Sequence, residues 1–259
     1  MKRTVTPDAS SDKVSYVPAA ARAIQILDVI GESAVGVRLA TICSRLGLAK
    51  STTSRLCATL VAADALSRDQ DGCFLLGPKV LAWSESYKRA SDPIRRFLPT
   101  IDAIPDLASM TVVLAVLNNS DSVYVAMRKG NEPIVLSYEI GLRLPASCTA
   151  SGKAMLSKLQ DFEIEKLFEH DALPRLTSKS IATVAELFRE INLVRNKGYA
   201  VDDEETAPGM LCVSSAVRSA STATQYAISV TTIKSSRSSD EVRRLVPLIK
   251  SACESLAGP

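Results

Sequence analysis

Near the N-terminus, apolar positions recur every three or four places, the spacing of one helical face. Between Ala19 and Ile30 the residues Ala23, Ile26, Leu27 and Ile30 form such a stripe, and Gly31 ends it. A second helix is expected over Arg38–Leu46, with Leu39, Ile42 and Leu46 inward. Gly47 then stands where a left-handed residue commonly closes a helix. A third helix is expected to begin near Lys50 or Ser51, where a Ser/Thr cluster suits an N-cap. Its Leu56 and Leu60 face the core, while Ser51, Thr52 and Arg55 fall on the other side. Two short helices joined by a Gly-Leu turn predict a helix-turn-helix, whose second helix enters the DNA major groove by its N-terminal end. The same pattern also fits a plain helical hairpin inside an ordinary domain.

The period changes after Leu60. Leu66–Gln70 and Cys73–Leu76 flank Asp71-Gly72, a dipeptide that favours a type I′ hairpin turn. Three helices followed by a hairpin predict a winged helix, with Arg68 on the wing. Pro78–Ala90 reads as a further helix with an apolar side of Leu81, Trp83 and Tyr87. That side serves either as a linker face pairing with another subunit or as packing on its own domain. A segment from Pro93 to about Ala108 is helical but interrupted by Pro99 and Pro105. Strands are expected at Thr111–Leu117, Ser122–Met127, Ile134–Ile140, Leu211–Val217 and Tyr226–Thr232. Helices are expected at Ala150–Lys158, Asp161–Phe168, Val184–Asn196 and Ser238–Leu256. The fold class is therefore α+β, organised as an arm (1–17) expected to be disordered, a winged helix-turn-helix (18–77), a linker helix (78–92) and a sensor-like domain (93–259).

Charge sharpens this division. The net charge of +3 separates into 12 Lys/Arg against 8 Asp/Glu over residues 1–90, and 19 against 20 over the rest. No acidic residue stands between Glu32 and Asp64, a window that holds Arg38, Arg45, Lys50 and Arg55. An acid-free positive window suits a surface that neutralises phosphates. No apolar run approaches the roughly 18 residues of a membrane helix, and the polar N-terminus has no apolar core of a signal peptide. A cytoplasmic protein is expected. Six scattered cysteines without a CxxC pair, and His170 as the single histidine, give no ordinary zinc cluster, so neither metal nor cofactor is expected. Ser151-Gly152-Lys153 superficially suggests a phosphate loop. Ser147 stands where the first glycine belongs, and Ala154 where the Ser/Thr belongs, so a nucleotide site is set aside.

Three stretches carry a resemblance. GLAKSTTSRLCATLVAADAL (Gly47–Leu66), with the wing ending at Gly77, is similar to the DNA-binding half of the IclR family of bacterial transcription regulators. Lys50, Ser51, Thr52, Arg55 and Leu56 match its pattern, and Thr53 sits where the family usually has a buried valine. GLRLPASCTASGKAML (Gly141–Leu156) and GYAVDDEETAPGMLC (Gly198–Cys212) resemble the signature segments of the family's effector domain, a GAF/PAS-like α+β module. Where many members have a histidine after the Leu-Pro, this chain has Ala146-Ser147-Cys148. The resemblance implies an effector site formed by the Ala150 and Ser151 amides, Asp202, Met210, Cys212, Ser229 and Thr231. Family members commonly sense small carboxylates or aromatic acids; amides and hydroxyls can hold a carboxylate, and Met210 with Leu136 can supply apolar walls. Asp202 is open to two roles, accepting from a ligand hydroxyl or capping a loop. Asp203, Glu204 and Glu205 are expected to be solvated and structural.

Taken together, a ligand-responsive DNA-binding regulator is expected, a repressor rather than an activator. It would bind a near-palindromic operator as a homodimer or a dimer of dimers, with Lys50, Ser51, Thr52 and Arg55 on the DNA and Arg38 and Arg68 on phosphates. Two rivals from other classes remain: an enzyme using Cys148 or Cys212 as nucleophile, and a sensor acting through protein partners alone. The first lacks a spaced base, since a cysteine nucleophile needs one nearby.

Overall fold

The computed structural model describes residues 17–131, 138–168, 172–217, 225–236 and 239–257. Met1–Tyr16 of the expected arm, Leu136 and His170 lie outside the described residues. The chain divides into two compact units, Met1–Tyr87 and Lys88–Pro259.

The first unit comprises α1 (Pro18–Gly31), α2 (Leu39–Leu46), α3 (Lys50–Ala62), the strands β1 (Leu66–Arg68) and β2 (Phe74–Leu76), and the start of α4 (Lys79–Ala90). Ile26, Val29, Ile30, Ile42, Cys57, Leu66 and Phe74 make one core, and a backbone bridge from Val37 to Phe74 ties the approach to α2 onto the wing. Gly47 closes α2 at φ 64°, with no atom near where a Cβ would stand; the conformation, not space, calls for glycine there. Two local expectations fail. Ala49, not a hydroxyl residue, precedes α3, and no side chain caps the helix. The wing turn is not type I′, because Gly72 is left-handed (φ 74°) and Asp71 is not. Instead the Asp69 carboxylate accepts the N–H groups of Asp71 and Cys73, making a longer loop between Arg68 and Phe74. In α4 no residue is buried, and Leu81, Trp83 and Tyr87 are 71%, 50% and 51% exposed.

The second unit comprises α5 (Asp92–Asp102), α6 (Pro105–Ala108), β3 (Thr111–Asn118), β4 (Asp121–Arg128), β5 (Arg143–Pro145), α7 (Ala150–Leu156), α8 (Asp161–Leu167), α9 (Val184–Lys197), β6 (Ala200–Asp203), β7 (Met210–Val217), β8 (Tyr226–Ile233) and α10 (Ser239–Ala257). Its six strands are antiparallel in the order β5-β4-β3-β8-β7-β6. Pro99 is tolerated within α5, and the chain breaks before Pro105. Phe97, Ile101, Leu114, Ile228, Ile249 and Leu256 typify the core between one sheet face and helices α5 and α10. On the other face Val113, Ala115, Tyr124, Tyr138, Ala154, Met155 and Val194 form a second core beneath α7 and α9.

The expected strand at Ile134–Ile140 is corrected where it can be seen: Tyr138–Ile140 is not strand, and residues 134–137 lie outside the described residues. The slot beside β4 is filled by β5. Gly141 (φ 94°) donates its N–H to the Tyr124 carbonyl and turns the chain into that slot.

Candidate functional site

Lys50, Ser51 and Arg55 are exposed and Thr52 half-buried on the first turns of α3, and Arg38 is exposed just before α2. Among the described residues no carboxylate is paired with Arg38, Lys50 or Arg55, whereas Arg45 pairs with Glu32 at 3.1 Å. The first-turn amides of α3, uncapped by any side chain, remain donors at the positive end of a helix, an arrangement suited to phosphate. Thr53 points the other way. It is fully buried, and its hydroxyl donates to the Ala49 carbonyl at 3.1 Å, so the polar atom in the usual valine position is satisfied. Arg68 is exposed on β1 with its guanidinium 4.6 Å from the centre of the Phe74 ring, which holds the head in place by a cation–π contact.

In the second unit, register brings the expected effector residues together. Asp202 is paired with Cys212, Cys212 with Thr231, and Ser214 with Ser229 in the neighbouring row. Because side chains alternate along a strand, Asp202, Met210, Cys212, Ser229 and Thr231 share the face that α7 covers. The hydroxyl of Thr149 accepts the N–H of Gly152 and caps α7, while the amides of Ala150 and Ser151 meet no acceptor among the described residues. A Cβ on Gly152 would lie 2.2 Å from the Ala146 carbonyl oxygen, so glycine lets α7 lie against that backbone.

Residues not foreseen lie at the same candidate site. Ser122 and Ser151 hydroxyls meet at 2.8 Å, Tyr124 stacks on Tyr138 with ring centres 5.4 Å apart, and Thr231 donates to the Tyr138 oxygen at 3.2 Å. Ser122 and Tyr124 were legible as alternate positions of one strand; Tyr138 fell within the segment Ile134–Ile140 expected as a strand, two places from Leu136, and was not named for the site. Asp202 takes the loop role in this structure: Oδ1 accepts from the amides of Glu205 and Thr206, and Oδ2 from the Thr206 hydroxyl. Burial raises its pKa.

Of the acidic run expected to be solvated, Asp203 is exposed and Glu204 half-exposed, and only Glu205 departs from the expectation. Glu205 is buried and faces Lys153, itself 1% exposed, at 2.5 Å, with Glu190 on the same ammonium at 3.4 Å. Burial outweighs the attraction of Lys153 and pushes the Glu205 carboxyl up to about 7. Glu204 pairs with Lys179 and Lys234, which hold its pKa down to about 2. The lysine of the Ser-Gly-Lys sequence thus braces α7 against the loop after β6. Burial pushes the Cys212 thiol up to about 12 and raises that of Cys148, the reverse of what a nucleophile needs.

Comparison with known proteins decides the family. The profile described as bacterial transcriptional regulator IclR C-terminal matches residues 87–257, and the IclR helix-turn-helix domain matches residues 19–70. This chain belongs to the IclR family. The chain is 28% identical over 197 residues to the HTH-type transcriptional regulator BhcR of Paracoccus denitrificans, covering 76% of this chain and 70% of that one. The repressor BlcR of Agobacterium tumefaciens superposes with a TM-score of 0.61 at 33% identity, covering 95% and 97% of the two chains. An IclR homolog from Microbacterium hydrocarbonoxydans, solved in complex with 4-hydroxybenzoate, shares the fold at 20% identity and a TM-score of 0.78, over 92% and 97%. IclR-family chains are DNA-binding transcription regulators rather than enzymes, with a winged helix-turn-helix followed by an effector-binding domain. No helix among the described residues is long and apolar enough to cross a membrane.

Proposed function

We propose that this IclR-family regulator binds a near-palindromic operator through the exposed N-terminal turns of α3, and that a small carboxylate or aromatic acid seated beneath α7 alters that binding. The observation that carries the first half is the acid-free window between Glu32 and Asp64, in which Lys50, Ser51 and Arg55 stand exposed. In this reading Lys50, Ser51, Thr52 and Arg55 contact bases and backbone, and Arg38 and Arg68 contact phosphates. Support for the second half is the shared face of Asp202, Met210, Cys212, Ser229 and Thr231 under the amides of Ala150 and Ser151, which meet no acceptor among the described residues. The bound 4-hydroxybenzoate of the Microbacterium relative and the repressor function in the names of several others agree with an acid effector and with repression.

A homodimer or dimer of dimers presents two recognition helices to the two half-sites. The uncovered apolar side of α4, with Leu81 and Trp83, is the surface offered for that assembly. The domains run 18–77, 78–92 and 93–259, and the protein works in the cytoplasm. Footprinting of the full chain on its own upstream DNA tests the reading. Two protected half-sites one or more helical turns apart, with affinity falling steeply with salt, are expected; uniform, unprotected binding would overturn it.

A further inference from the structure

On the row Asp202–Cys212–Thr231, both carboxylate oxygens of Asp202 are held by the Glu205–Thr206 loop. The polar atoms left to a ligand on that row are the Cys212 sulfur and the Thr231 hydroxyl. The Tyr138 hydroxyl already engages both, at 3.7 Å and 3.2 Å, and Cys212 and Thr231 lie 3.5 Å from each other. The Tyr138 ring is held by its stack on Tyr124, inclined at 26°, and Tyr138 is 6% exposed. A benzene ring and its hydroxyl therefore already occupy the sheet side of the site, supplied by the protein itself.

We propose that Tyr138 is the specificity-determining residue of the effector site, its phenol filling the place of an aromatic ligand so that the site takes small aliphatic hydroxy- or oxo-acids and rejects benzene-sized acids. This inference rests on the effector reading above and narrows it. An aliphatic acid competes with the Tyr138 hydroxyl for Cys212 and Thr231 while the ring stays in place. An aromatic acid must displace the ring, losing its stack and its burial.

The test is calorimetric titration of the full chain as wild type, Tyr138→Phe and Tyr138→Ala, with lactate and benzoate as probes. Tyr138→Phe keeps the ring on Tyr124, so it preserves the fold while freeing the two polar atoms. It is expected to bind lactate about threefold to tenfold more tightly, the range of one hydrogen bond. Tyr138→Ala opens a ring-sized cavity and is expected to bind benzoate at least about tenfold more tightly than wild type. Benzoate binding wild type and Tyr138→Ala alike would overturn the proposal, as would a loss of lactate affinity in Tyr138→Phe, which would make the hydroxyl a ligand contact. If neither acid binds any of the three proteins, the proposal fails together with the effector reading, an outcome distinct from the other two.

Discussion

The two candidate sites of this regulator are built in opposite ways. The α3 surface is a single short segment whose Lys50, Ser51 and Arg55 are exposed, and among the described residues no carboxylate is paired with Lys50 or Arg55. The site under α7 draws on four strands and two loops, is almost wholly buried, and has most of its polar atoms bonded to one another. A surface of the first kind gains affinity by neutralising phosphates and depends on salt. A site of the second kind binds only by exchanging internal hydrogen bonds for ligand ones, so its affinity is a difference between similar terms, and one hydroxyl can decide what it accepts.

Substitutions at the two sites should separate accordingly. The largest effect is expected from Lys153→Met, which leaves Glu205 and Glu190 without their cation inside the second unit. Denaturant unfolding should show a loss of about 3 kcal/mol, the scale of a broken buried pair; a loss below about 1 kcal/mol would mean the cluster is no brace. Arg55→Ala should cost about 1–3 kcal/mol of operator binding and leave unfolding unchanged, since the side chain is exposed. Anisotropy titration reads the first and a thermal melt the second.

A pH series sharpens the contrast further. Glu205 has an ordinary value of 4.5 and is raised to about 7 in the fold, so between those values the folded state holds a proton that the unfolded chain has released. Its contribution to stability is therefore complete below about 4.5 and is lost as pH rises through about 7. Glu205→Gln should flatten that slope in a series of melts, while Arg55→Ala should leave it in place. The smallest effect is expected from Thr53→Val, which removes a satisfied hydroxyl together with its burial. Stability should move by less than about 1 kcal/mol and operator affinity not at all.

How much could be read from the sequence follows the same contrast. Helices α1 to α3 and the turn at Gly47 depend on neighbours within a few residues, so their periodicity and punctuation carried them. The wing turn was misjudged because the Asp69 carboxylate, two residues before the dipeptide, organises the loop. Strands β5 and β6, three and four residues long, are too short for a period to show, and they exist because an edge slot of the sheet receives them. The candidate effector residues could be named by resemblance. That they share one face required the register of β6, β7 and β8. Nothing local marks Glu205 as buried in a run of four acidic residues from Asp202, because its partner Lys153 is fifty-two residues away along the chain. Tyr138 lay in an expected strand beside Leu136, but its contacts with Cys212 and Thr231 could not be read, these partners being distant in sequence.

Coupling between the buried site and the exposed one is directly measurable through binding linkage. Operator affinity of the full chain should be titrated with and without a saturating concentration of an acid shown to bind it. A shift on the order of tenfold is expected, matched by an equal shift in acid affinity when operator is present. Superimposable DNA isotherms, with the acid bound, would contradict it.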